Sequence, residues 1–570
     1  MSDTGALHES WATLWEAIAD AQPDALAVVI GTQEMTWREY DDRAARLAGA
    51  FTAAGVGRGT KVAQLMFNCP EYMESVYAAF KVQASPVNVN YRYQAAEIAY
   101  VCDNAGAEVL VFHGAHADRV ATARADGLMP SVRLLLQVDD GHSLIDGARW
   151  YHEVIAEAEP APRIDRSGGD ELLLYTGGTT GMPKGVIWPH HELFGALAFP
   201  GYMAAGLDVP TTIDAVAGTA AAIRGSGHSP VMLCAPPLMH GTALFLAMSA
   251  FVMGGTVVLL GGRSFDADEL WDLVERYQVT QISLVGDAFA RPMTAALAAR
   301  AEAGSPRNLA SLQRIASTGA TLSADQKRAL AAHAPNLMIL DMIGASEGGP
   351  FGVSATMPGD EPTDTAVFTA PPNVVTLDPD THEVIPRGSD TPGMLAVSGP
   401  MPAGYLGDPD KTARTFPVID GVRYTVPGDF ATIATDGTVT LLGRGSVCIN
   451  SGGEKIYPEE VEVAAREHPD VIDAIAVGVP HERFGQTVTL VCSTRSPVDP
   501  DAIIDTVKER IAHYKAPRQI VFVDEVYRAP NGNSTIAGPP TPQSLHSPVP
   551  DTLTPTAILT LTTVTTCMTS

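Results

Sequence analysis

The segment Leu172–Ile187, LLLYTGGTTGMPKGVI, carries the strongest chemical signal in the chain. An apolar run enters Thr176-Gly177-Gly178-Thr179-Thr180-Gly181, and Pro183-Lys184-Gly185 follows. Glycines let successive backbone N–H groups close on phosphate oxygens, threonine hydroxyls add donors, and Lys184 adds positive charge. Gly185 stands where a Walker A loop requires Ser or Thr, so this is a phosphate loop of another kind. A Gly-rich turn between two strands is the plain structural alternative. The specificity of the whole string favours phosphate binding over it.

Such residues need a frame. From Trp11 to about Gly114 helical and strand-like patterns alternate. Trp37–Ala54 has apolar residues at helical spacing, Lys61–Phe67 and Glu108–Phe112 read as strands, and Ala95–Cys102 as part of a helix. The alternation returns at Val231–Cys234, Thr256–Leu260 and Gln281–Val285 and predicts parallel-sheet α/β architecture. Residues 374–443 carry short strands between Pro, Gly and Asp turns, a small β-rich subdomain. Beyond Arg444 the pattern is α+β, with helices near Glu459–Glu467 and Asp501–His513 and strands at Ala474–Val479, Thr487–Ser493 and Gln519–Val523. The predicted fold is therefore a large α/β domain of two wound sheets plus a β subdomain, residues 1–444, and a small α+β lid, residues 445–532. Residues 533–570 are rich in Thr and Pro, lack Lys, Arg and Glu, and are expected to form a poorly ordered tail.

The bulk properties narrow the function. The chain has 570 residues and a formal net charge of −28, which disfavours nucleic acid and anionic lipid as partners. The same charge repels phosphorylated substrates, so any phosphate site must be locally positive or rich in backbone N–H groups. The six cysteines form no CxxC pair, and no apolar stretch reaches the ~20 residues of a membrane span. The N-terminus has no basic n-region followed by an apolar h-region, so a cytoplasmic enzyme with reduced thiols is expected.

TGGTTGMPKG resembles the phosphate-binding signature of the adenylate-forming superfamily of acyl-CoA synthetases, luciferases and peptide-synthetase adenylation domains. Further signatures follow in that family's order over roughly residues 10–532. Ser317-Thr318-Gly319-Ala320 resembles the segment lining the adenine and acyl pockets. Asp341-Met342-Ile343-Gly344-Ala345-Ser346-Glu347 resembles the aromatic-Gly-x-Thr-Glu motif, with Ile343 where the family has an aromatic residue on adenine. The resemblance implies that Ser346 contacts phosphate and that Glu347, with Thr176, holds Mg²⁺. It places Asp429 on the ribose hydroxyls, as a carboxylate with two acceptor oxygens, and Arg444 beside them at the domain junction. Pro427 replaces the family's Thr there. Ser446 takes the hinge position, Gly452 and Gly453 face the pantetheine arm of CoA, and His240 lies beside the acyl carboxylate. Val285–Phe289 is expected to line the acyl pocket.

The implied reaction is formation of acyl-AMP from a carboxylic acid and ATP, then transfer to CoA. Thr176, Lys184, His240, Glu347 and Arg444 are the expected catalytic set. Small residues at Gly286, Ala288, Gly319 and Ala320, and the TGGTTGMPKGVIW form, look most like actinobacterial ligases for steroid side-chain acids, with long-chain fatty acids as the other class. Transfer to a carrier protein stays open, as does a homodimer. One departure stands out. The family's C-terminal Gly-Lys pair is replaced by Gly532-Asn533, which leaves open a nucleotide-binding protein impaired in adenylation, with Lys515 the next lysine to consider.

Overall fold

The computed structural model describes residues 7–176, 182–320, 322–362, 367–444, 449–456, 458–524 and 526. The chain divides into a large unit, 1–178 with 183–446, and a small one, 179–182 with 447–570.

Among the described residues, the large unit holds an eight-stranded and a sixteen-stranded sheet. In the first, Glu171–Thr176 lies parallel to Ser85–Asn88 on one side and antiparallel to Lys184–Pro189 on the other. Lys61–Leu65, Val109–His113 and Leu134–Val138 continue the parallel part, and Gly404–Tyr405 closes the Lys184 edge. In the second sheet, Leu26–Ile30, Thr256–Leu259, Val231–Cys234, Gln281–Leu284, Arg314–Thr318 and Met338–Ala345 run parallel. Both sheets are wound as the alternating sequence predicts. The β-rich region is not a separate sheet. Met338–Ala345 pairs antiparallel with Gly348–Thr356, and that hairpin carries the second sheet on through Thr438–Arg444, Asp429–Ile433 and Gly393–Ser398.

Local chemistry accounts for the element ends. The helix Trp37–Ala53 opens on a capping box: Glu39 N–H donates to the Thr36 hydroxyl at 3.3 Å, and Thr36 N–H donates to the Glu39 carboxylate at 2.8 Å. The strand expected to reach Phe67 stops at Leu65, and Phe67 N–H donates to His113 Nδ1 at 3.1 Å instead of a ladder partner. In the small unit, the helix expected to reach His513 ends at Arg510, after which Ile511 is extended. That unit has five strands among the described residues, with Val471–His481 and Gly485–Thr494 as its long central pair. Val461, Ala465, Leu490, Ile503 and Val507 form its core.

The helix layer of the large unit buries an aromatic cluster in which Trp15 meets Tyr77 and Phe251 edge-on, at 5.1 and 5.5 Å between ring centres. Beside it lies a charged group. Lys81 Nζ is 2.8 Å from Glu16 and 2.7 Å from Asp41, sits 4.3 Å over the Tyr77 ring, and its side chain is 3% exposed. The Tyr77 hydroxyl donates to Asp41 at 2.5 Å, and Arg166 pairs with Glu16 at 2.8 Å. Burial pushes the Asp41 carboxyl up, and Lys81 with Tyr77 more than reverses this, leaving it below its ordinary value.

Candidate active site

The two described ends of the Gly-rich signature lie on paired antiparallel strands. Leu172, Leu173 and Leu174 are buried, which fixes the strand that delivers Thr176 to the sheet edge. Thr176 and Lys184 are direct cross-strand partners, so the two ends of the signature lie side by side. Gly177, Gly178, Thr179, Thr180 and Gly181 lie outside the described residues. Gly185 has a packing reason of its own, since a Cβ there would come within 2.7 Å of the Tyr175 ring.

Lys184 Nζ pairs with Asp408 at 2.5 Å, with the lysine side chain 20% exposed. Its hydrogen bond, together with the backbone N–H of Lys411, holds the Asp408 carboxyl below its ordinary value. Asp408 also caps the helix Pro409–Thr415, which brings Lys411 Nζ to 4.4 Å over the Tyr405 ring. The Tyr405 hydroxyl donates to Glu347 at 2.6 Å. Burial lowers the Lys411 ammonium and Lys184 adds to this, while Glu347 and Asp408 oppose it. Trp188 donates to the Ser346 carbonyl at 3.0 Å and Thr425 to the Glu347 carbonyl at 3.2 Å, which clamps the Ser346–Glu347 turn. The segment Tyr405–Lys411 therefore joins two sequence-predicted site residues, Lys184 and Glu347. Asp408-Pro409 is an ordinary helix start by its residue types, and nothing in the sequence marks the segment for the site.

A single carboxylate at Glu347 with the Thr176 hydroxyl suits an ion that takes most of its ligands from phosphate and water, as Mg²⁺ does. Among the described residues no group of three or more His, Cys, Asp or Glu side chains forms a metal cage.

The remaining candidates fall on the second sheet and its edges. Thr318 and Met342 are parallel partners, which puts Gly319 and Ala320 next to Ile343 and Gly344 at the strand ends. Gly319 takes φ +86°, where a side chain is strained. Ile343 packs on the apolar cluster of Phe351 and Val374. The Asp341 carboxylate is paired with the buried Lys327; burial raises its pKa and Lys327 opposes the rise. Asp429 and Arg444 are direct cross-strand partners on antiparallel strands. His240 precedes the helix Gly241–Val252, and a Cβ on Gly241 would meet Leu174 of the phosphate strand at 3.0 Å.

In the small unit, Gly452 and Gly453 form the two-residue turn between Ile449–Ser451 and Glu454–Ile456, with φ +60° and +86°. A turn with both central residues at positive φ selects glycine by itself. Lys515 is buried and pairs with Glu460 at 2.7 Å. Ser446 and Asn533 lie outside the described residues. Cys69, Cys102, Cys234 and Cys492 are buried free thiols whose pKa burial raises, to about 12 for Cys102 and Cys234 and about 11 for Cys492, so none is a ready nucleophile. No described helix is long and apolar enough to cross a membrane.

Comparison with known proteins gives the family. Residues 15–406 match the AMP-binding enzyme family and residues 460–533 the AMP-binding enzyme C-terminal domain. A medium/long-chain-fatty-acid-CoA/3-oxocholest-4-en-26-oate-CoA ligase of Mycobacterium tuberculosis is 41% identical over 527 residues, 91% of this chain and 94% of the relative. A 3-oxocholest-4-en-26-oate-CoA ligase of Rhodococcus rhodochrous is 37% identical over 528 residues, 91% of this chain and 93% of the relative. The solved amide bond synthetase McbA of Marinactinospora thermotolerans shares the fold at a TM-score of 0.73 and 24% identity, over 92% of this chain and 98% of that one. Matches along nearly the whole chain, over a fold shared with a solved relative, lead to one assignment: the protein belongs to the AMP-binding enzyme family.

Proposed function

We propose that this chain is an ATP-dependent acyl-CoA ligase that activates a steroid side-chain acid or a long-chain fatty acid through acyl-AMP. The observation that carries the reading is the meeting of Lys184 and Glu347 on one short segment, Tyr405–Lys411. A lysine for the phosphate oxygens beside a carboxylate that can hold Mg²⁺ suits a nucleotide triphosphate.

In the first half-reaction a carboxylate oxygen of the acid attacks the α-phosphorus, and the bond to the pyrophosphate oxygen breaks. Lys184 leaves Asp408 for the phosphate oxygens and neutralises their charge. His240 orients the acid, Asp429 accepts from the ribose hydroxyls, and Arg444 supports that end. Thr176 and Glu347 are the residues we assign to Mg²⁺, which supplies charge neutralisation on the phosphates when bound. Gly319, Ala320, Asp341, Ile343, Gly344 and Ser346 are assigned to the nucleotide pocket. Asp341 serves it through its backbone, since its carboxylate is taken by Lys327. In the second half-reaction the CoA sulfur attacks the acyl carbon and AMP leaves, with the Gly452–Gly453 turn assigned to the pantetheine arm. We assign residues 1–444 to adenylation and 445–532 to a lid, in a cytoplasmic protein, with a homodimer to be sought by light scattering.

Asn533 favours a second reading, in which adenylation is impaired and thioester formation survives. Loss of one preorganised cation commonly costs about 10²–10³ in rate. The deciding experiment is ATP–pyrophosphate exchange over steroid, long-chain, medium-chain and aryl acids, run beside conversion of synthetic acyl-AMP by CoA. Exchange with a steroid or long-chain acid supports the ligase. Slow exchange with intact acyl-AMP conversion supports the impaired form. Loss of both with every acid sinks the proposal.

A further inference from the structure

We infer that Asn88 is a positioning residue that holds the start of the phosphate loop and the His240 turn in one register. Its carboxamide is buried and makes three hydrogen bonds to backbone groups far away in the chain. Oδ1 accepts from Tyr175 N–H at 2.6 Å, Nδ2 donates to the Tyr175 carbonyl at 2.9 Å, and Nδ2 donates to the Met239 carbonyl at 2.7 Å. Tyr175 immediately precedes Thr176, and Met239 immediately precedes His240.

The reason lies in the sheet. Ser85–Asn88 and Glu171–Thr176 pair through Val87 and Leu173, and the ladder between them then stops. Beyond it Val89 still bonds to Gln64 on the other side, at 2.9 Å, so the chain turns away from the phosphate strand. Tyr175 is left with an N–H and a carbonyl on the side where the neighbour has departed. A side-chain amide has the same donor and acceptor as a peptide group, so Asn88 completes the ladder for one more residue. Its second N–H ties the same point to Met239. A strand end that would otherwise fray is fixed next to the residues proposed for phosphate and carboxylate. An aspartate in place of Asn88 lacks both donors, and a leucine there has neither donor nor acceptor. Either replacement leaves buried backbone groups unpaired.

The inference rests on the assignment of Thr176 and His240 to the site, and the test separates the two. The probe is 5′-O-(N-octanoylsulfamoyl)adenosine, a stable mimic of an acyl-adenylate, titrated into the full chain by calorimetry. Its binding does not depend on turnover, so Asn533 is no obstacle. Asn88→Leu and Asn88→Asp are each expected to weaken the mimic by about tenfold or more. In the double variant with His240→Ala the losses are expected to fall short of their product, because Asn88 acts partly through that turn. Circular dichroism and thermal melting confirm that each variant is folded at the titration temperature, and the near-isosteric Asn88→Asp stands in where Asn88→Leu does not fold. A folded Asn88 variant that binds like the parent, or one that only melts earlier, overturns the positioning role. If Thr176→Ala and His240→Ala bind like the parent while Asn88→Leu is weakened, the site assignment fails and Asn88 is left without the role inferred for it.

Discussion

Two charged groups in the large unit are built from the same parts. In each a lysine lies over a tyrosine ring, at 4.3 Å for Lys81 on Tyr77 and 4.4 Å for Lys411 on Tyr405. In each the tyrosine hydroxyl donates to a carboxylate, Asp41 in one and Glu347 in the other. Their settings differ. The Lys81 group sits among packed helices, with two carboxylates on the one ammonium. The other group sits at strand ends, where Lys184 keeps a fifth of its side chain in solvent and pairs with Asp408. Residue types and contacts alone therefore do not tell a structural charge cluster from a functional one. Access to solvent does. Breaking the first should unfold the protein, and breaking the second should silence it.

The largest effect is expected from Lys81→Met. Glu16 keeps Arg166 and Asp41 keeps Arg163, so neither charge is left alone, but both lose the buried ammonium between them. The loss should fall near the lower end of the range of about 3–5 kcal/mol for a broken buried pair. The denaturation midpoint should fall accordingly, while substrate turnover per folded molecule stays unchanged. Lys184→Ala is expected to do the opposite. It should lower pyrophosphate exchange about 10²–10³-fold relative to the parent, with a melting temperature within about 2 °C. A large drop in melting temperature would mean that the two clusters do not differ as argued.

The tyrosines give the sharpest paired test. Each Tyr→Phe change deletes one hydrogen bond to a charged group, about 1.5–3 kcal/mol. For Tyr77→Phe the loss should appear in stability. For Tyr405→Phe it should appear as roughly tenfold slower adenylation, with Glu347 less firmly held. Equal losses of stability in both would erase the distinction. The smallest effect is expected from Asp408→Asn, since a part-exposed ion pair contributes about 0–1 kcal/mol. ATP affinity should change by no more than about fivefold. Lys184 depresses the Asp408 carboxyl, so the pair is intact above the ordinary carboxylate pKa of about 3.9 and is lost as pH falls through the lower folded value. The ratio of parent to variant affinity should therefore be flat from about pH 6 to 8.

What the sequence could reveal follows the range over which each signal acts. The strand that ends at Thr176 was legible because its apolar run is contiguous. The wound sheets were legible because burial imposes a local period on each strand and helix. Asp429 and Arg444 stood out only through the family's motif spacing, and their cross-strand pairing came from the structure. By contrast, Lys184 meets Asp408 across 224 positions and Glu347 meets Tyr405 across 58, and no periodicity records such meetings. Asn88 escaped for the same reason, since an Asn at a strand end reads as an ordinary turn residue. The continuation of the second sheet through the β-rich region was also hidden. A short strand looks the same whether its neighbour belongs to its own subdomain or to the sheet next door.

That continuous second sheet has a consequence for how the protein is made. Val28 in its Leu26–Ile30 strand pairs at once with Met35 on one edge, but its other edge waits for Val257, more than two hundred residues later. At a synthesis rate of about 5–20 residues per second, the wait is on the order of ten to fifty seconds. During it, the apolar strand and its unpaired edge face the crowded surroundings of the ribosome. The nascent chain should therefore be a client of holding chaperones, and soluble yield should rise when translation is slowed or cooled less than when such chaperones are supplied.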